Sequence, residues 1–389
     1  MKITDVLVHM FGATHGDGKT RRRNWIFVEI KTDEGISGIG EATTEYHEMA
    51  VKAQIETELR PRLIGMDPTD IERIWTMGFR DFWWRMGVVH TSAMSGIDMA
   101  LWDIKGKAAG LPVFKLLGGR ARDSVRLYAR ADLGLPDLAA EAKAAVKEGF
   151  DAFKYGPHRF ETPYDEVRHA KSTVEEAHLI RQAVGPGVDI MLDAAGVFSF
   201  TAAHALIEGL RDVPMFFVEE PTNQDTVEPT LRLKREFPGI RIAIGERFIT
   251  RWAFREWFEK QAIDVCQVDI SHTGGITELM KVAHYAEVYG IQVAPHNPYG
   301  PVALAAAAHC AAAMQNFLIL EHCRYPQWWE KVQKRRVPIS NGKVLVDDMA
   351  KTAGLGVELD LAYIDRTPFV HAPLSTRQYV QQDGSRPLI

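Results

Sequence analysis

Six stretches decide the fold of this chain: DIMLDAAG (189–196), MFFVEEP (215–221), IAIGER (242–247), VCQVDIS (265–271), IQVAPHN (291–297) and FLILEH (317–322). Each is a short apolar run at or near whose end stands a chemically active side chain, in turn Asp193, Glu219, Glu246, Asp269, His296 and Glu321. A carboxylate beside an apolar strand is expensive unless it binds a metal or does chemistry. One such run means little. Six in succession, separated by helix-like stretches and recurring every 25 to 27 residues apart from the Glu246–Asp269 step, describe a barrel with one functional group per strand at a common rim. Upstream, VRLYAR (125–130) and AFKYGP (152–157) complete eight β-like runs alternating with helical stretches, the count of a closed parallel barrel. An open doubly wound sheet is the alternative, but its ligand site would draw on one switch point and not on nearly every strand end.

The organisation changes near residue 123. Before it, VLVHMF (6–11), NWIFVEIKT (24–32) and ISGIGEAT (36–43) read as strands, while Tyr46–Leu63 and Thr91–Ala109 read as helices. Residues 1–123 are therefore expected to form an α+β domain and residues 124–339 the barrel. From 340 to 389 the alternation lapses into turns and a polar, proline-punctuated tail, expected to pack back on the first domain.

Bulk properties bound the function. A chain of 389 residues is long enough for a large buried core. With 46 Lys and Arg against 51 Asp and Glu, no generalised basic surface for nucleic acid or anionic lipid is implied, and a small-molecule partner is expected. Cys266, Cys310 and Cys323 have no metal-ligand spacing and are too few for a disulfide scaffold, which fits a reducing cytoplasm. Neither a signal peptide nor an apolar stretch of membrane-spanning length is evident, so a soluble cytoplasmic protein is expected.

The stretch SAMSGIDMALWDIKGKAAGLPVFKLLGG (92–119), the ordered set Lys154, Asp193, Glu219, Glu246, Asp269, His296 and Glu321, and GLGVELD (354–360) resemble the mandelate racemase/muconate lactonizing group of the enolase superfamily. Within it, AIGERFITRWAFREW (243–257), VDISHTGGITE (268–278) and VAPHNPYGPVALAA (293–306) are most similar to galactonate dehydratase and other acid-sugar dehydratases. The resemblance implies an α/β fold: a modified TIM barrel, (β/α)7β, with an N-terminal α+β capping domain, assembling as a homo-oligomer. It implies Mg2+ held by Asp193, Glu219 and Glu246, a ligand set of the kind a hard cation expects. Glu220 would face the other way and serve a salt bridge or a supporting role.

By the same resemblance, His296 is the base that removes the proton α to a substrate carboxylate, and Asp269 fixes its tautomer. Glu321 would hydrogen-bond the substrate carboxylate opposite the metal, a donor role requiring its protonated form, and Lys154 would contact that carboxylate electrostatically. Two departures narrow the reaction. Racemases and cycloisomerases of the group carry Lys-x-Lys on the second strand, whereas this chain reads Lys154-Tyr155-Gly156, so a second base is missing. Galactonate dehydratase places a histidine two residues after the first metal ligand, where Ala195 stands here. The acid for the departing 3-hydroxyl must then be Tyr155, His158 or His296 itself, the last by syn elimination and preferred.

The expected function is a Mg2+-dependent dehydratase of an acid sugar, aldonate or aldarate, with an epimerase or cycloisomerase, or a noncatalytic acid-sugar-binding protein, as alternatives. Specificity is expected from capping-domain loops around Phe11–Arg23 and near His47, with Arg21 and Trp84 as further substrate contacts. Phe82, Trp83, Arg85 and His90 share the aromatic stretch of Trp84. Two motifs fail on context. Gly35-x-x-Gly38-x-Gly40 lacks the spacing and following helix of a phosphate loop, and His47-Glu48 lacks the second histidine of a zinc protease.

Overall fold

The structure, a computed structural model, describes the chain apart from residues 16–20, 134, 136, 157–162, 326–327, 368, 370–378 and 387–389. It begins with an antiparallel sheet of β1 (Ile3–His15), β2 (Arg21–Thr32) and β3 (Ser37–Glu41), paired in that order. Helices α1 (Glu48–Ala53), α2 (Arg60–Leu63), α3 (Ile71–Arg80) and α4 (Val88–Ala109) follow, with a π-helical turn at Gln54–Leu59 between the first two. The alternation of β2 explains how this domain docks. Ile26, Val28 and Ile30 pack with Ile74, Ile97 and Leu101 of its own helices, while Trp25 and Phe27 belong to the core shared with the barrel. Much of the stretch expected as a loop at Phe11–Arg23 is paired strand, with Phe11 opposite Trp25 and His15 opposite Arg21. The glycines of ISGIGEA make room for close packing: a Cβ on Gly40 would stand 1.8 Å from the Gly96 carbonyl oxygen of α4.

After α5 (Val113–Leu116), the barrel runs as β4 (Ser124–Arg130), α6 (Leu138–Lys147), β5 (Ala152–Tyr155), α7 (Glu166–Val184), β6 (Asp189–Asp193), α8 (Phe200–Gly209), β7 (Met215–Glu219) and α9 (Glu228–Glu236). It continues through β8 (Ile242–Ile244), α10 (Thr250–Glu259), β9 (Val265–Cys266), α11 (Ile270–Thr273), α12 (Gly275–Val288), β10 (Gln292–Val293), α13 (Pro301–Ala313) and β11 (Leu320–His322). Neighbouring strands from β4 to β10 pair in parallel. The ring closes because β11 pairs in parallel with β4, and a parallel bridge joins Val293 to Phe317. Seven strands are followed by covering helices and the eighth is not, which is the (β/α)7β order. An apolar inner tier that includes Tyr128, Ala152, Met191, Phe217, Ala294 and Ile319 fills the interior, as expected of a packed barrel.

Three capping-domain carboxylates tie the two units together. Glu41, at the end of β3, accepts hydrogen bonds from the Gly300 and Ala303 amides (2.7 and 3.0 Å) at the start of α13. Asp98 on α4 accepts from the Thr277 amide (3.0 Å) in the first turn of α12. Asp103, one and a half turns further along α4, accepts from Ile39 and Leu355 amides. The Glu41 and Asp98 bonds satisfy helix-start amides that have no partner inside their own helices. Of the C-terminal segment, helix Leu361–Asp365 lies against β1 of the first domain, with His9 Nδ1 2.9 Å from Asp365, whereas Lys343–Leu345 pairs with β4 of the barrel.

Burial pushes the Glu41 carboxyl up to about 7, against the hydrogen bonds it accepts from Ala303, Gly300, Thr43 and Val302. Replacing Glu41 with Ala should cost about 1–3 kcal/mol by stranding the two α13 amides. Because its folded pKa lies above the unfolded value of 4.5, the stability that titrates with Glu41 is complete below that value and is lost as pH rises through about 7. Wild type should therefore lose stability relative to Glu41→Gln between about pH 5 and 8 in thermal melts. A difference that is flat across this window would show that Glu41 is ionised throughout.

Candidate active site

The step that carries each barrel strand from its inner apolar tier to its C-terminal end produces the site. Two residues beyond Ala152, Met191, Phe217, Ala294 and Ile319 stand Lys154, Asp193, Glu219, His296 and Glu321, all on the inward face by the period of the strand. Glu246 and Asp269 join them from the ends of β8 and β9. All six groups predicted from the strand-end pattern, with Lys154, are thereby brought together.

Asp193, Glu219 and Glu246 offer carboxylate oxygens within 4.8 Å of one another. Glu219 is completely buried, and its Oε1 has no hydrogen-bond partner. Burial, and then the charges of Asp193 and Glu246, raise its carboxyl to about 8 even though Lys154 Nζ lies 2.6 Å away. An oxygen-only donor set with an orphaned buried oxygen and excess negative charge fits a hard divalent cation. Glu220 takes the other side, as its alternation required. It is buried in a left-handed conformation (φ 43°), and Arg247 holds it at 2.9 Å. A non-glycine residue in that conformation is strained and persists only where its surroundings fix it.

His296 lies against both halves of the site. Its Nδ1 is 2.6 Å from Asp269 Oδ2, so Nδ1 carries the proton donated to that carboxylate and Nε2 is left facing Glu246 (3.1 Å) and Glu321 (3.7 Å). Burial works to lower the imidazole pKa, but Glu246, Glu321 and Asp269 outweigh it and raise it to about 10. Asp269 also caps α11 by accepting from the Ser271 amide at 2.7 Å, which fixes the carboxylate. Behind the imidazole, the Tyr299 ring packs edge-on at 6.2 Å, and its hydroxyl is 2.6 Å from His272, which in turn is 2.8 Å from Ser92 of α4.

Lys154 is 1% exposed and bridges Glu219 (2.6 Å) and Glu321 (3.3 Å). Burial alone would favour loss of its proton, yet these carboxylates hold its pKa well above the ordinary value. Glu321 shares these cations. Burial would raise its pKa, but Lys154, His296, Arg130 and the Asn297 amide bring it down.

The expected substrate contacts are not gathered in this way. Tyr155 follows Lys154 in the strand and therefore faces outward; it lies in the core beneath the helices, with its hydroxyl donated to the Thr173 carbonyl. That replaces the expected substrate or acid role with a packing one. Trp84 and Trp83 are each 89% exposed on the turn between α3 and α4. His47 is exposed at the start of α1. His90 bonds the Gly78 carbonyl and Gln54 within the capping domain. His158 and the Arg21 side chain lie outside the described residues.

Two groups at the rim escaped the search for acids. Arg130 ends β4 and reaches Glu321 at 3.8 Å, while Gln267, two residues before Asp269, is fully buried. Arg23 from β2 spans to the loop after His296, donating to the Pro298 carbonyl (3.0 Å) and the Tyr325 hydroxyl (2.9 Å) and pairing with Glu45. The signal for Arg130 was its place at the C-terminal end of a barrel strand, where this fold puts chemistry. Among the described residues, no helix is long and apolar enough to cross a membrane.

Comparison with known proteins agrees with this geometry. Residues 12–118 match the mandelate racemase/muconate lactonizing enzyme N-terminal domain, and residues 137–363 match the enolase C-terminal domain-like family. The chain is 35% identical to a D-galactonate dehydratase of Ralstonia nicotianae, covering 93% of this chain and 92% of that protein. It is 40% identical to a D-galactonate dehydratase of Verminephrobacter eiseniae over 73% of this chain and 74% of the relative. Among solved structures, an enolase from Agrobacterium radiobacter, described as a candidate galactarate dehydratase with bound sodium and L-malate, superposes with a TM-score of 0.86 at 29% identity, covering 99% of both chains. With both domains matched, and with the carboxylate trio, the Asp269–His296 pair and the (β/α)7β order in place, the chain belongs to the mandelate racemase/muconate lactonizing group of the enolase superfamily.

Proposed function

We propose that this protein is a Mg2+-dependent dehydratase of a sugar acid, an aldonate or aldarate, that removes the C2 proton, releases the 3-hydroxyl and yields a 2-keto-3-deoxy acid after tautomerisation. The observation that carries the reading is the Asp269–His296 pair, whose Nε2 faces the carboxylate trio. The kinship with D-galactonate dehydratases supports the substrate class. Asp193, Glu219 and Glu246 are the residues that would hold Mg2+, which would supply positive charge where a carboxylate must accommodate the electrons of a departing α-proton.

The remaining work falls to side chains. Asp269 holds the Nδ1 proton and stabilises the imidazolium once Nε2 has taken the C2 proton. His296 then returns that proton to the leaving hydroxyl in a syn elimination. The backbone at Ala195 offers no acid, since its side chain is a methyl group, and the Tyr155 hydroxyl is committed to Thr173. Lys154 neutralises Glu219 and Glu321 and stays protonated, which speaks against a second base. The strand offers no other on that face: a Cβ at Gly156 would lie 3.1 Å from the Asp193 carbonyl oxygen. Elimination needs one base and epimerisation at C2 needs two, so the dehydratase is favoured. A noncatalytic binder would have no use for the paired Asp269 and His296. The exposed pair Trp83 and Trp84 supports the expectation of a homo-oligomer, because large apolar groups on a surface mark interfaces.

Proton NMR in D2O with Mg2+ and pooled aldonic and aldaric acids tests the reaction. New C3 methylene or monodeuterated signals are expected; loss of the C2 signal without them would turn the reading toward epimerisation. His296→Asn should keep the fold and Mg2+ affinity while lowering C2 exchange by at least about 100-fold. Undiminished exchange in that variant would refute the base assignment. A third outcome concerns charge. Without metal, the His296 imidazole should stay protonated up to about pH 10, and Mg2+ on the trio, by offsetting the Glu246 charge, should move its NMR titration midpoint down toward neutrality. A midpoint that ignores Mg2+ would mean that the ion does not sit beside Nε2.

A further inference from the structure

The step that places Lys154 two residues beyond Ala152 places Arg130 two residues beyond Tyr128, in the same inward tier and in register with Lys154 across the β4–β5 pair. Arg130 thus occupies the first strand's position in a ring whose other members include Lys154, Asp193, Glu219, His296 and Glu321. Its side chain is 27% exposed and stands 3.8 Å from Glu321, too long for a hydrogen bond. Among the described residues, its guanidinium has no hydrogen-bond acceptor.

Among the described residues, the other cations near the barrel mouth are committed. Lys154 is 1% exposed and held by two carboxylates. Arg247 is taken up by Glu220 and the Ala195 carbonyl. Arg23 is spent on Glu45, the Pro298 carbonyl and the Tyr325 hydroxyl, and Arg324 on Asp132 and Glu141. An open guanidinium presents several donors in a planar fork that matches a carboxylate, and an arginine left with spare donors in a pit lined by carboxylates repels nothing anionic that approaches from its side.

We propose that Arg130 is the substrate-anchoring cation of this site, taking a carboxylate of the substrate on the side of the pocket formed by β4 and β11, across from Glu246. Resting on the acid-sugar reading for the identity of the substrate, it adds a residue that decides how tightly a carboxylate is held. Lys154, buried beneath, is held by the protein's own carboxylates, whereas Arg130 keeps donors to spare. A guanidinium so placed favours substrates whose anionic group reaches the β4 side and does nothing for neutral sugars.

Calorimetric titration of the Mg2+-loaded protein with L-malate and with oxalate tests this without requiring turnover. Wild type should bind at least one of these anions. Arg130→Gln should weaken that binding at least tenfold, with Mg2+ affinity and melting temperature unchanged, and Arg130→Lys, which keeps the charge but not the fork, should fall between them. If Arg130→Gln does not fold, the Arg130→Lys comparison decides alone. Anion affinity unchanged in the folded variant, or no anion binding by wild type, would overturn the proposal. On whichever acid sugar the wild type dehydrates, Arg130→Gln should raise KM tenfold or more and change kcat less. Weakened anion binding with no acid sugar turned over would leave Arg130 standing while removing the dehydratase reading, so the two fail separately.

Discussion

Repulsion among carboxylates is the constraint around which this site is arranged. Asp193, Glu219 and Glu246 place oxygens within 4.8 Å of one another, and at an effective dielectric of about 20 two unit charges at that distance repel by roughly 3 kcal/mol. Adding Glu220 and Glu321, both fully buried, would be untenable without countercharge. The protein supplies part of it: Lys154 between Glu219 and Glu321, Arg247 against Glu220, and the His296 imidazole between Glu246 and Asp269. Even so, burial, and then the nearby charges of Asp193 and Glu246, raise Glu219 to about 8. The oxygens of the trio converge on a place that could hold a cation.

The capping domain controls the same site through its own acids. Asp98 sits at the start of α12, the long helix that follows the Asp269 strand, and Glu41 sits at the start of α13, the helix that follows His296. The two helices that fix the direction of the catalytic pair are thus each capped from the other domain, where a carboxylate also meets the positive end of the helix dipole. Ser92 reaches His272, which reaches Tyr299 behind His296. The docked α4 is thus linked by hydrogen bonds to the ring packed behind the imidazole.

The barrel and its ring of strand-end acids were legible in the sequence because parallel strands buried on both sides read as apolar runs, and an acid at the end of such a run stands out. Parity would have told more than was taken from it. Lys154 and Tyr155 cannot both face inward, and the strand gives the interior to Lys154 and the helix layer to Tyr155. In VRLYAR, Arg126 and Arg130 share a face, so side-chain type alone could not separate them. Strand direction does: Arg126 lies at the bottom of the barrel with Asp151 and Asp189, while Arg130 is at the C-terminal rim. Contacts from the capping domain, such as Arg23, were beyond reach because they depend on docking and leave no period. The ionisation of Glu321 was equally hidden, since it is set by Lys154, His296 and Arg130, groups remote in the chain.

One substitution of role links the electrostatics to the chemistry. A lysine placed on the second strand of a barrel like this could in principle act as a base, but only with a pKa low enough to lose its proton. Burial alone would push Lys154 in that direction. Two carboxylates within 3.3 Å push it the other way and win, so the ammonium is retained as a structural countercharge. Gly156 brings no side chain to the face opposite His296, and a Cβ there would press on the Asp193 backbone. The charge balance that lets the acidic ring exist thus also keeps Lys154 from serving as a base.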